Sequence, residues 1–290
     1  MTKVQKVYDA ADGSATPGRV FTASIGLEMV PVAPGAARLD HLLLGMKGQI
    51  ATTAIAIETF AATLSEYTLY VGGNTRIKMS MRQLIALMLA YYHDLPFLWE
   101  NTDATGNNFI GGVKVPVYAP VEAGTPFTHS ADWVTQTNQT AETLAIDAYY
   151  DTGAEGVLPI HAINVDHTTA AGAGVEQLDA GIPPVGKLRY LILEQVNELA
   201  DGKIDISIQR AWIKSRTQGR VAHLNMLASH CKWMGRSVGV LDPMDDLLKD
   251  FNIIDLGPAG IDAKADELRL ELDVQDVSDA VSITPVMELQ

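Results

Sequence analysis

Along most of this chain apolar residues alternate with polar ones, and the runs are cut by short clusters of Gly, Pro and Asn. A period of two puts successive side chains on opposite faces of a strand, so the pattern predicts many short β-strands. Residues 20–32 (VFTASIGLEMVPV) partly alternate and stop at Pro34-Gly35. Arg38–Ile50 (RLDHLLLGMKGQI) is rich in leucine, with Gly45 as a candidate bulge. Glu66–Met79 reads as two strands about a Gly72-Gly73-Asn74 turn. Val113–Tyr118 is a strand whose Pro116 implies an edge or a bulge. Phe127–Val134 is ambiguous, and Thr143–Tyr149 is a clear strand. Further on, Val157–Val165 alternates. Lys187–Val196 and Lys203–Ile213 read as strands about a hairpin turn at Asp201-Gly202. Leu268–Val274 (LRLELDV) alternates without a break.

Two segments switch to helical spacing. In Met81–Tyr92, Leu84, Leu87, Met88 and Tyr91 fall at i, i+3, i+4 and i+7, with Ser80 placed to cap the N-terminus. In Val221–Trp233, Val221, Leu224 and Ala228 share a face, as do Leu227 and Cys231. Asp245–Phe251 reads as one short helix.

The order of these elements repeats. Arg38–Leu44 (RLDHLLL) matches Lys187–Leu193 (KLRYLIL), and Leu87–His93 sits opposite Leu224–Lys232. VPVYAP at Val115 matches IIDLGP at Ile253, and Thr143–Asp147 is set against Glu267–Glu271. The expected fold is therefore mainly β: two jelly-roll barrels or sandwiches in tandem, each with an inserted helix. The expected boundaries are an N-terminal arm at 1–19, a first jelly roll at 20–154 and a second at 155–290. A parallel α/β fold would need a helix after nearly every strand, and that pattern is absent.

Charge narrows the partners. The 290 residues carry a net charge of −14, with no Lys/Arg run of five or more, which argues against direct, extensive nucleic-acid binding. Only 19% of residues are charged, a composition that suits surfaces buried against neighbours. The lone cysteine, Cys231, rules out an intramolecular disulfide and a Cys-based zinc site, and suits a reducing compartment. The first 18 residues have no apolar core segment, which argues against a secretory signal. The apolar run Leu84–Tyr92 falls far short of the roughly 20 residues that span a bilayer.

Candidate chemistry fails on context. Gly235-Arg236-Ser237-Val238-Gly239 matches the nucleophile elbow G-x-S-x-G, but a helical pattern precedes it and no histidine follows Ser237. The histidines stand at 41, 93, 129, 161, 167, 223 and 230, with no His-x-His pair of the kind a cupin metal site uses. Gly172-Ala173-Gly174 lacks the third glycine and βαβ setting of a dinucleotide loop. Asn138-Gln139-Thr140 fits a glycosylation sequon, which matters only in a secreted chain. Met79, Met81 and Met88 read as core filler. Trp133, Trp212 and Trp233 could form a sugar platform, though packing is their commoner role. The expectation is no catalytic, cofactor-binding or metal-ligating residue, and no enzyme activity.

The chain resembles the double jelly-roll major capsid proteins of tailless, icosahedral, membrane-containing viruses. The carrying stretch is RLDHLLLGMKGQI followed by YTLYVGGNTRIKMSMRQLIALMLAYY, a strand, a hairpin and then a helix, within two strand-rich halves spanning residues 20–280. The resemblance implies a homotrimer with two barrels per chain, a pseudo-hexagonal tile contacting neighbouring capsomers and other capsid proteins. It implies residence in the virion capsid after assembly in the host cytoplasm, and large loops at Asn101–Gly112 and Gly124–Thr140 forming an outward tower. The arm departs from the pattern in lacking strong basic charge, which leaves its contact with an internal viral membrane open. The alternative is a jelly-roll module for carbohydrate or receptor binding, as in a spike or lectin. The third reading is a two-cupin enzyme.

Overall fold

Alternation dictates what forms. The computed structural model describes residues 2–9, 25–51, 61–93, 97–100, 108–134, 136, 139–153, 156–169, 174–178, 182–195, 208–216, 218–225, 250–264, 267–274 and 280–290. Two compact units divide the chain, Met1–His161 and Ala162–Gln290, where the sequence pattern places the boundary at 154/155. The division falls inside strand β10 (Ile160–Ile163).

The first unit holds β1 (Thr2–Asp9), β2 (Ile25–Met29), β3 (Arg38–Ile50), β4 (Leu64–Val71), β5 (Asn74–Met79), helix α1 (Met81–Tyr92), β6 (Phe97–Glu100), β7 (Asn108–Pro120), β8 (Phe127–Trp133) and β9 (Gln139–Asp151). One sheet runs β1-β9-β3-β7-β6 and the other includes β5-β4-β8-β2. The second unit holds β11 (Val165–Thr168), β12 (Gly174–Gln177), β13 (Lys187–Glu194), β14 (Ile208–Ser215), β15 (Gly219–Asn225), β16 (Phe251–Asp255), β17 (Ile261–Asp262), β18 (Leu268–Val274) and β19 (Ala280–Glu288). There β11 pairs β19, β19 pairs β13 and β13 pairs β16. Its other sheet runs β12-β18-β14-β15.

Take the eight main strands of each unit in chain order, leaving out β6 and β17. Both units then read 1-8-3-6 in one sheet and 5-4-7-2 in the other. This is the jelly roll, two interlocked Greek keys closing a sandwich. Three irregularities recur at matching places. A one-residue bulge at Asp40 between β3 and β9 has its counterpart at Arg189 between β13 and β19. Ser65 on β4 corresponds to Gln209 on β14, and Arg76 on β5 to Val221 on β15. The repeat is thus real down to single residues.

The cores follow the same alternation. In the first unit Leu39, Leu42, Leu44, Tyr67, Leu69, Phe109, Phe127 and Tyr150 are buried. In the second the cluster is aliphatic, with Leu188, Leu191, Leu193, Ile213, Leu268, Leu270 and Leu272 among its members. Helix α1 has the expected bounds. Ser80 caps it in a capping box with Gln83, and Leu84, Leu87 and Met88 are buried as the spacing requires. Its Met88 sulfur accepts the Lys114 amide of β7 at 3.2 Å. The Gly72-Gly73 turn works because both residues take positive φ, which glycine adopts without strain. At Gly186, also at positive φ, an added Cβ would collide with the Glu288 carbonyl.

Several sequence expectations are corrected. Residues 221–225 are strand and not helix: Ala222 and Leu224 alternate opposite Ile213 and Ala211, a period of two that overrides the i, i+3 coincidence of Val221 and Leu224. Residues 226–233 lie outside the described residues, as do 245–249, and Phe251 begins β16 instead of ending a helix. Asp201-Gly202 also lies outside, and β13 and β14 are not a hairpin pair but belong to different sheets. The hairpin closes later, at Ser215↔Gly219, with Gly219 at positive φ. The counterpart of β9 is β19, not Glu267–Glu271, which lies mostly in β18 and matches β8. The arm is in part a strand, since Thr2–Asp9 pairs with β9; residues 10–19 lie outside the described residues. Much of the two tower loops is strand as well, Asn108–Gly112 in β7 and Phe127–Trp133 in β8.

Candidate functional site

The residues weighed for chemistry are scattered. His41 lies beside Asp40, with its Nδ1 2.9 Å from the carboxylate, and stacks on Tyr149 at 4.4 Å. Burial holds its pKa below the ordinary value, against the opposing pull of Asp40. His93 caps α1 in the left-handed conformation. Burial likewise lowers His161. His167 contacts Glu176 at 3.2 Å beside a cavity of about 40 Å³ lined by Leu178, Ile182, Leu191 and Leu270. His129 is fully buried on β8, and neither ring nitrogen has a partner. Burial pushes it down from 6.5 to about 4. Its ring centroid lies 6.0 Å from that of Tyr67, whose buried hydroxyl also lacks a partner and is pushed upward. Among the described residues no three His, Cys, Asp or Glu side chains converge as a metal site would. No helix among them is long and apolar enough to cross a membrane. Ser237, His230, Cys231, Trp233, Asn138 and Gly172 lie outside the described residues. Trp133 is buried and Met79, Met81 and Met88 are core, as the sequence implies.

One surface does concentrate polar side chains: the outer face of β12-β18-β14-β15. Alternation on β14 sends Ala211, Ile213 and Ser215 inward and Arg210, Trp212 and Lys214 outward. Across the ladder Trp212 faces His223 on β15 and Glu271 on β18. The Arg220 guanidinium lies 4.0 Å from the Trp212 ring centroid, and His223 stacks on the same indole at 5.7 Å. Glu271 accepts from Lys214 and from Arg220, both at 2.9 Å. Those hydrogen bonds, the one from Lys214 foremost, hold its carboxyl below the usual range. Beside them opens a cleft of about 370 Å³ lined by Gln177, Lys214, Ser215, Arg216, Glu267 and Arg269. Sequence reasoning missed this surface, although RAWIKS at 210–215 carried the signal as a basic and aromatic period of two.

Comparison with known proteins decides the fold. No family model and no curated protein sequence matches. The major capsid protein of STIV, the Sulfolobus turreted icosahedral virus, superposes with a TM-score of 0.69 at 12% identity over 100% of this chain and 97% of that one. Major capsid protein P2 of bacteriophage PM2 gives 0.58 at 10% identity, over 100% and 98%. The capsid of PBCV-1 gives 0.59 at 10% identity, over 99% and 93%. The fold is the double jelly roll of viral major capsid proteins.

Proposed function

We propose that this protein is a major capsid protein, a shell-forming subunit and not an enzyme. One observation carries the reading: a single chain contains the same eight-stranded jelly roll twice, with matching bulges, and fits viral capsid proteins over its whole length. Three such chains supply six similar barrels, a pseudo-hexagonal unit that tiles a facet. The protein then acts as a homotrimer among neighbouring capsomers and other capsid proteins, located in the virion and assembled in the host cytoplasm. The arm's contact with an internal membrane stays a secondary part of this proposal. The sugar-binding alternative loses support, because Trp133 is buried and Trp212 lies under Arg220 and His223.

Sedimentation velocity and electron microscopy test it. The expected result is a trimer that builds shells or sheets, alone or with viral partners. A stable monomer at high concentration that never assembles would overturn the reading.

A further inference from the structure

The two units carry equivalent sheets, and register matches them residue by residue. Leu64–Val71 corresponds to Ile208–Ser215, and Phe127–Trp133 to Leu268–Val274. Both sheets bury their inward faces, and their outward faces differ in charge. In the first unit the outward row is Glu66, Thr68 and Tyr70 on β4 with Thr128, Ser130 and Asp132 on β8. In the second the same positions are Arg210, Trp212 and Lys214 on β14 with Arg269, Glu271 and Asp273 on β18. Glu66 has become an arginine, and small hydroxyls have become Trp212 and Arg269.

This second face is built for contact. Arg and Trp are the residues most enriched where protein interfaces hold their binding energy. Arg220 is held by its hydrogen bond to Glu271, and Trp212 is packed against Arg220 and His223, so little side-chain freedom remains to be lost on docking. Side chains of Lys214, Arg220 and Arg269 are 42%, 49% and 44% exposed, and Arg210 and Arg216 are exposed too. Five cations (Arg210, Lys214, Arg216, Arg220, Arg269) stand against three carboxylates (Glu267, Glu271, Asp273), a local +2. The remainder of the chain is then −16, from −14 less +2. A basic face on so acidic a molecule is complementary to other copies of the same molecule.

We propose that the outer face of β12-β18-β14-β15 docks a second copy of this chain through that copy's acidic surface. The inference rests on the capsid reading and assigns it a contact. Charge complementarity at exposed positions is screened over about 10 Å at 0.1 M salt, so the contact is salt-sensitive and governs association rate and partner choice.

The test is sedimentation velocity of the full chain from about 50 to about 500 mM NaCl, with variants. The double variant Arg210→Glu/Arg216→Glu should associate at least ~10-fold more weakly than wild type at low salt, with unchanged circular dichroism and melting. Trp212→Ala should also weaken association. Lys78→Glu, on the equivalent sheet of the first unit, should leave it unaltered. Association of the double variant equal to wild type would overturn the proposal and leave the capsid reading standing. So would a loss from Lys78→Glu as large as that from the double variant. A wild-type chain that stays monomeric at every salt overturns both.

Discussion

The two jelly rolls share a ladder down to its bulges and differ in what they bury at matched positions. His129 in the first occupies the place of Leu270 in the second. Both are fully or almost fully buried, but the leucine sits in an aliphatic cluster while the histidine sits near Tyr67 with neither nitrogen paired. Backbone pattern and apolar phase are therefore enough to specify the barrel, and individual core chemistry is free to vary. The variation has a cost. An unpaired buried polar ring loses its water contacts without replacement.

The largest effects should come from the cores themselves. Leu87→Ala in the first unit and Leu270→Ala in the second should each cost about 2–5 kcal/mol in urea unfolding. Hydrogen exchange should confine each loss to its own unit; a loss spread evenly over both would break the comparison. Next comes acid. His129 has a folded pKa depressed to about 4 from 6.5, so its contribution is fully present above pH 6.5 and is lost as pH falls toward 4. At pH 4 and below the neutral state must give up about 3 kcal/mol. His129→Leu, which copies the second unit, should flatten the stability-versus-pH curve over this range. Burial also lowers His41 and His161, so a smaller slope should persist. An unchanged slope would mean His129 is solvated in solution.

Ser80→Ala removes the cap of α1 and should cost about 1 kcal/mol by thermal melting. Gln83 should then contribute less, because its side chain completes the same box. Smallest is Lys78→Ala. The Lys78–Glu66 pair spans 3.3 Å but is 47% and 39% exposed, so the loss should stay under about 0.5 kcal/mol.

What the sequence made legible was local. β3, the β5 end at Met79, α1 and β18 keep the bounds that alternation and a Ser cap imply. What it hid was non-local. Nothing in Asp201-Gly202 says that the strands on either side join different sheets, because sheet membership is decided by partners far along the chain. Val221–Asn225 misled for a different reason. In so short a stretch one i, i+3 pair fits a helix as well as the alternating Ala222 and Leu224 fit a strand, and only Ile213 and Ala211 across the ladder settle it. The repeat was visible in Arg38–Leu44 and Lys187–Leu193, yet its last strand was matched to β18 because that strand alternates more cleanly than β19. The basic face went unseen because faces exist only once register is known.

The bulges at Asp40 and Arg189 have neighbours on their other side. Opposite Asp40, β7 inserts Val117 and Tyr118, the latter at φ 51, between the partners Pro116 and Ala119. Opposite Arg189, residues 256–260 stand between Asp255 and Ile261. The same break in the ladder thus takes two residues in one barrel and five in the other. Pairing resumes in register on both sides, so added length there does not change which side chains face the core. This is a place where chain can be grafted: a peptide spliced between Leu256 and Gly260 would be displayed from an intact barrel, once per copy of the chain.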